Sequence, residues 1–252
     1  MKLFIPNNLY SISIAELLLK NSKYEISFLQ SSLISEKISK EINSIGLIPT
    51  TDLIKKSNLF VSKSFGISFE GSLCNSYIYF NSNEKNIKEF YTLGDVSSVD
   101  VMLAKILFDE IYESTIDLKI SSDISFIKSK NSLLIGNDNF INERYSKGLS
   151  FSEEFVDAFS VPFVNYVFAS LSSNNIDKLN NDFDGANDSV YDIIERNNFG
   201  KDFSQLTRDY IQENISSFIF NLKEEDVEGI KFILQLPFLK GIINDLIELK
   251  LI

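Results

Sequence analysis

The first half of this chain alternates short apolar runs with apolar residues at helical spacing, and no other feature limits its fold as much. Runs at 3–5, 26–29, 45–48 and 78–80 are interleaved with helical spacing at 12–19 and 34–42. A strand apolar throughout is buried on both faces, and β-α-β-α-β order supplies the helices that bury it, so the pattern predicts a parallel sheet. A second group follows: a strand at 90–93, a helix over 99–111, strands at 118–120 and 133–135, a helix at 153–159 and a strand at 163–168. From 172 onward the spacing is helical, at 176–183, 190–197, 203–214, 224–235 and 239–249, with Pro237 separating the last two. The polar stretches 81–86 and 170–174 are the expected crossings between two lobes. Residues 1–82 and 172–252 then form one discontinuous lobe, and 83–171 the other.

With 252 residues, 44% of them hydrophobic, the chain can bury a substantial core. Its formal charge of -11, from 35 acidic against 24 basic side chains, disfavours a nucleic-acid groove or an anionic membrane surface as partner. There is no histidine, which removes the usual general base, the Ser-His and Cys-His nucleophile systems and the commonest zinc ligand. Any catalysis must use carboxylates, amides, hydroxyls, Lys, Tyr or the substrate itself. Cys74 is the sole cysteine; it allows neither an intramolecular disulfide nor a CxxC metal pair, suits a reducing compartment, and reads as a small buried hydrophobe. The apolar run at the N-terminus is too short for a signal peptide, and nothing later approaches 18 uninterrupted apolar residues. The expectation is a soluble cytoplasmic protein with a small-molecule partner and no metal or organic cofactor.

Several polar residues fall where ligands meet such sheets. Asn7 and Asn8 follow the first strand, at the carboxyl edge of the expected parallel sheet, and are either cleft residues or an Asn-rich turn. Asn75 and Ser76 follow the Gly71 turn and either donate into a cleft or simply shape the turn. Ser97 and Ser98 precede the helix at 99–111; their hydroxyls and the free N–H groups there either hold a substrate carboxylate or cap the helix. Asp138 closes the strand at 133–135 and either anchors the following helix or meets a ligand. Phe151, Phe155, Phe159, Phe163 and Phe168 have core spacing, and Glu224-Glu225-Asp226 reads as a solvated first helical turn.

The order of these segments resembles the menaquinone-biosynthesis solute-binding-like family, best known as the chorismate dehydratases of the futalosine route. Leu134-Ile135-Gly136-Asn137-Asp138 is similar to its "LLIGD" strand end. Val161-Pro162-Phe163-Val164-Asn165-Tyr166-Val167-Phe168-Ala169 is similar to its "GxPFVFAVWA". Segments 45–53, 66–80, 95–99 and 210–232 match further family pieces in order, the third resembling "DTSSRTS" and the last "YLxxNI". The resemblance implies a two-lobed type 2 periplasmic-binding-protein-like α/β fold with a central ligand cleft. It further implies a lyase that removes water from chorismate to form 3-enolpyruvyloxybenzoate, with Asn8 and Asn75 positioning the reacting groups and Thr50, Ser76, Ser97, Ser98 and Asp138 binding substrate. Two family arginines are replaced, by Glu70 and Val99, and Leu9 stands where the family has an Asn, with Asn8 one place early. These replacements favour the rival reading, a non-catalytic small-acid binding or sensor paralogue on the same fold.

Overall fold

Residues 1–19, 23–82, 87–184, 189–196 and 203–252 are described by the structure, a computed structural model. Residues 83–86 of the first expected crossing, and residue 197 at the end of one expected helix, lie outside the described residues.

The expected β-α-β-α-β unit is present as β1 (Lys2–Pro6), α1 (Leu9–Leu19), β2 (Glu25–Leu29), α2 (Ser31–Ile38) and β3 (Ser44–Pro49). β1 pairs in parallel with both β2 and β3. β3 is buried at every position, as its apolar run requires. Gly46 allows that burial, because a Cβ there would lie 2.8 Å from Ile34 and 2.9 Å from Ile38 of α2; only the missing side chain lets the helix sit this close.

β4 (Phe60–Phe69) then runs through the same sheet, and β5 (Ser76–Tyr79) opens a second one. β6 (Glu89–Gly94), α3 (Ser98–Tyr112), β7 (Asp117–Ile120), β8 (Ser132–Ile135), α4 (Asp138–Ile141), β9 (Leu149–Ser150) and α5 (Phe151–Phe159) follow. β10 (Phe163–Ser170) returns to the first sheet. The chain ends with α6 (Ser173–Asp184), α7 (Val190–Arg196), α8 (Gln205–Glu213), β11 (Phe218–Asn221), α9 (Glu224–Leu239) and β12 (Lys250–Leu251). The first sheet has the order β11-β4-β10-β3-β1-β2, with β12 also on β4; the second has the order β7-β6-β8-β5-β9.

Three expectations are corrected here, and β4 and β11 are added. β5 belongs to the second sheet, antiparallel to β8, so it does not extend the parallel unit and the first crossing lies between Phe69 and Ser76. β10 lies in the first sheet between β3 and β4, antiparallel to both, so the return crossing precedes Phe163. Its eight buried positions need a neighbour on each side, and the first sheet supplies them. The lobe limits at 82/83 and 171/172 therefore fall beyond the strands that change sheets. β4 and β11 were not expected, because Ser62, Lys63, Ser64, Gly66 and Ser68 interrupt the apolar run of β4 and β11 is only four residues long. Finally, there is no helix at 239–249. α9 runs through Pro237 to Leu239 and ends where Gly241 adopts φ +67, a left-handed stop that glycine accepts without strain. Ile242 and Leu246 are exposed, so a second helix would have no buried face to stabilise it.

The two sheets present matching edges. β1, β2 and β3 end at one edge of the first sheet; antiparallel pairing brings the start of β10 and the end of β4 to the same edge. In the second sheet β6 and β8 end where β5 begins. The loops from these edges meet in a seam.

Candidate functional site in the seam between the sheets

Three sets of hydrogen bonds close the seam. The Leu9 N–H, just after β1, donates to Asn137 Oδ1, just after β8, at 2.8 Å. Ser31, which begins α2, donates its N–H to Asp95 Oδ1 at 3.0 Å and its hydroxyl to Asp95 Oδ2 at 2.5 Å. Ser98, the first residue of α3, donates to Asp52 Oδ1 and lies 2.7 Å from the Thr51 hydroxyl. Each pair joins the carboxyl end of a strand in one sheet to that of a strand in the other, which is where side chains from open α/β sheets converge on a ligand.

Asn8 is 2% exposed and caps α1, its Oδ1 accepting the Ser11 N–H at 2.9 Å, while Nδ2 has no partner. Asn75 is also 2% exposed; its Oδ1 has no partner, and its backbone carbonyl accepts the Gly136 N–H at 2.8 Å. Because Gly136 adjoins Asn137 and Leu9 adjoins Asn8, the two carboxamides flank the same crossing. Thr50 is buried and donates to the Val164 carbonyl at 2.7 Å, tying the end of β3 to β10.

Ser97 and Ser76 hold the chain's own carboxylate, Asp100. The Ser97 hydroxyl donates to Asp100 Oδ2 at 2.6 Å and its N–H at 2.9 Å; the Ser76 hydroxyl donates to Oδ1 at 2.9 Å. Ser97 and Asp100 thereby form the capping box of α3. Burial pushes the Asp100 carboxyl up to about 6; the Ser97 and Ser76 hydrogen bonds pull the other way and the neighbouring Asp95 adds to the rise. Asp138 pairs with Arg144 at 2.6 Å and accepts from Asn142 at 2.7 Å. Both partners follow it closely in sequence, so its carboxylate is held locally, and its neighbour Asn137 makes the crossing. Val99 is buried in the first turn of α3 and Glu70 is exposed just after β4, so neither brings a charge to the seam.

The structure also brings in residues that sequence reasoning did not single out. Tyr166 is fully buried on β10, its hydroxyl 2.9 Å from that of Ser31. Burial raises its phenol well above the ordinary range, and the Asp100 and Asp95 carboxylates push it further. Asp52 Oδ2 is buried without a partner, and so are both side-chain atoms of Asn165. Asp100 was legible as the acidic third residue of a Ser-x-x-Asp cap, and Asn165 as a carboxamide inside an apolar strand. Ser31 and Asp52 carried no local signal, since their importance comes from the opposite sheet. Among the described residues no three His, Cys, Asp or Glu side chains gather as a metal site, so the seam carboxylates are spread along it. Among the described residues, too, no helix is long and apolar enough to cross a membrane.

No protein-family model matches this chain, and no curated protein does. Solved structures do. Protein AF1704 from Archaeoglobus fulgidus superposes with a TM-score of 0.68 at 11% identity, over 96% of this chain and 98% of that one. The alkanesulfonate-binding protein SsuA from Xanthomonas axonopodis pv. citri, bound to MOPS, gives 0.64 at 10% identity, over 100% and 97%. A zinc-bound ligand-binding component of an ABC-type import system from Staphylococcus aureus gives 0.60 at 12% identity, over 97% and 92%. At such identities the likeness concerns the fold: this is the mixed α/β, two-sheet architecture of the solute-binding proteins.

Proposed function

Starting from that architecture, we propose that the chain binds a small polar acid in the seam and, from the segments that resemble those of the chorismate dehydratases, that the acid is chorismate. The reaction is then loss of water to give 3-enolpyruvyloxybenzoate, in the cytoplasm, on the futalosine route to menaquinone. The observation that carries binding is the pair of carboxamides at the Leu9–Asn137 crossing, Asn8 and Asn75, each buried and each with one polar atom unpaired. Buried polar groups are nearly always hydrogen-bonded, so unpaired ones at facing sheet edges suit a ligand.

The chemistry suits a chain without histidine. Loss of the ring hydroxyl as water, together with a neighbouring ring proton, makes the ring aromatic, so no redox partner is required. The protein has to hold the substrate in a dry enclosure, with a substrate carboxylate available as base. Asn8 and Asn75 take the positioning role. Incubation of the purified protein with chorismate, followed chromatographically for 3-enolpyruvyloxybenzoate, tests the proposal; absence of turnover at any pH between 5 and 9 would sink the lyase reading.

One observation favours a second reading, a binding or sensor protein without activity. The hydroxyls of Ser76, Ser97 and Ser98 hold Asp100 and Asp52. Among the described residues no Lys or Arg hydrogen-bonds to Asn8, Asn75, Asp52, Asp95 or Asp100. A dianion loses the charge-assisted contacts, about 1.5 to 3 kcal/mol each, that two arginines would supply. Tight binding of another small acid without turnover supports this reading.

A further inference from the structure

Asn165 is fully buried, and neither its Oδ1 nor its Nδ2 has a hydrogen-bond partner among the described residues. It is also the extra residue of a bulge: Val164 pairs with Ser68 and Tyr166 with the adjacent Ile67, so Asn165 has no counterpart on β4. Bulges re-aim side chains and are frequent beside binding sites. Both sequence neighbours of Asn165 belong to the seam, since the Val164 carbonyl accepts the Thr50 hydroxyl and the Tyr166 hydroxyl meets Ser31. Ser68, across the bulge, has an unpaired hydroxyl as well.

We propose that Asn165 contacts the bound molecule directly, Nδ2 donating to a carboxylate oxygen and Oδ1 accepting from a hydroxyl or ammonium of the same molecule. This rests on the reading that the seam binds a small acid, and it narrows the class of acid. Asn8 Nδ2 and Asn165 Nδ2 can only donate, which suits a carboxylate; Asn75 Oδ1, Asn165 Oδ1 and Asp52 Oδ2 can only accept, which a bare carboxylate does not satisfy, and the Ser68 hydroxyl can do either. A molecule that satisfies both kinds carries donor hydrogens of its own beside its carboxylate. Hydroxy acids, chorismate among them, and amino acids share that chemistry; a plain carboxylate such as benzoate does not.

The test uses Asn165→Leu, which keeps the branched outline of the side chain and removes both polar atoms, with Asn165→Ser as a second variant. Ligand-free thermal unfolding is measured first, then calorimetric titration with chorismate, with the common L-amino acids and with benzoate. The ligand-free Asn165→Leu protein melts above wild type, because replacing an unpaired buried polar group by an apolar one of similar shape relieves its desolvation. Whichever hydroxy or amino acid binds wild type binds both variants at least tenfold more weakly, and the probe that binds distinguishes the two sources. Equal affinity of wild type and a folded variant overturns the role of Asn165 while leaving seam binding intact, and benzoate binding wild type as tightly as the best probe overturns the ligand class. If wild type binds none of the probes, the seam-binding reading falls and the Asn165 proposal with it.

Discussion

Asp100→Asn should make this protein's stability less dependent on pH between 4 and 7. The carboxyl is buried at 2% exposure, and burial raises it from the ordinary 3.8 to about 6. A carboxyl raised on folding binds its proton more tightly in the native state than in the unfolded one. Its contribution is therefore fully present below pH 3.8 and lost as pH rises through about 6. At about 1.4 kcal/mol per pH unit, that rise corresponds to about 3 kcal/mol. The asparagine keeps an acceptor for the Ser97 N–H and carries no charge, so this loss disappears. The assay is urea unfolding of wild type and variant at matched ionic strength from pH 4 to pH 7.5. The difference between the two stabilities isolates Asp100 from every other titrating group. Because the unfolded-state carboxyl is already partly ionised at pH 4, the variant should gain on wild type by about 2 kcal/mol between pH 4 and pH 7, or roughly 4 to 8 °C in Tm for a chain of this size. A flat difference curve would refute the reasoning, because Asp100 would then titrate alike in both states. A difference of opposite slope would also refute it, because the Ser76 and Ser97 hydrogen bonds would then outweigh burial.

Three further substitutions probe the frame of the seam. Gly94→Ala should fail to fold or lose well over 3 kcal/mol: Gly94 has φ +89, and a Cβ there would lie 2.0 Å from the Ile135 carbonyl oxygen of the paired strand; circular dichroism and urea unfolding would show it. Thr50→Val preserves shape but leaves the Val164 carbonyl without the threonine hydroxyl, so urea unfolding should record a loss of about 1 to 2 kcal/mol. Asp95→Ala removes the acceptor of both Ser31 donors; a loss of about 2 to 3 kcal/mol is expected, with faster amide exchange at Ser31 by hydrogen-exchange mass spectrometry. Unchanged exchange there would mean that Asp95 does not hold the seam.

Much of the fold was legible because burial leaves a plain mark on β1 and β3, while the partly exposed edge strand β2 still carries enough apolar residues to read as a strand. The runs of β1, β2 and β3 appear as apolar blocks separated by helical spacing, and the structure has them as a parallel unit. β4 was not legible, since serines, a lysine and a glycine break its pattern, and its place is set by β10 and β11 on either side. At the site, Asn8 was singled out from the end of a strand, Asn75 and Ser76 from a turn, Ser97 and Ser98 from the start of a helix, and Thr50 from the family resemblance alone. The pairs that close the seam were not legible, because Asp95 lies 64 residues from Ser31 and Asn137 lies 128 residues from Leu9, beyond the reach of any local pattern.

The sequence by itself determined the α/β class, the first parallel unit and the absence of histidine chemistry, because each depends on residue type and near-neighbour spacing. Only the tertiary structure decided which sheet receives β5 and β10, where α9 ends, and that the serines read as ligand hydroxyls hold Asp100 and Asp52. Those outcomes depend on which buried face and which polar group are opposite, a choice that packing makes among many sequence-distant partners.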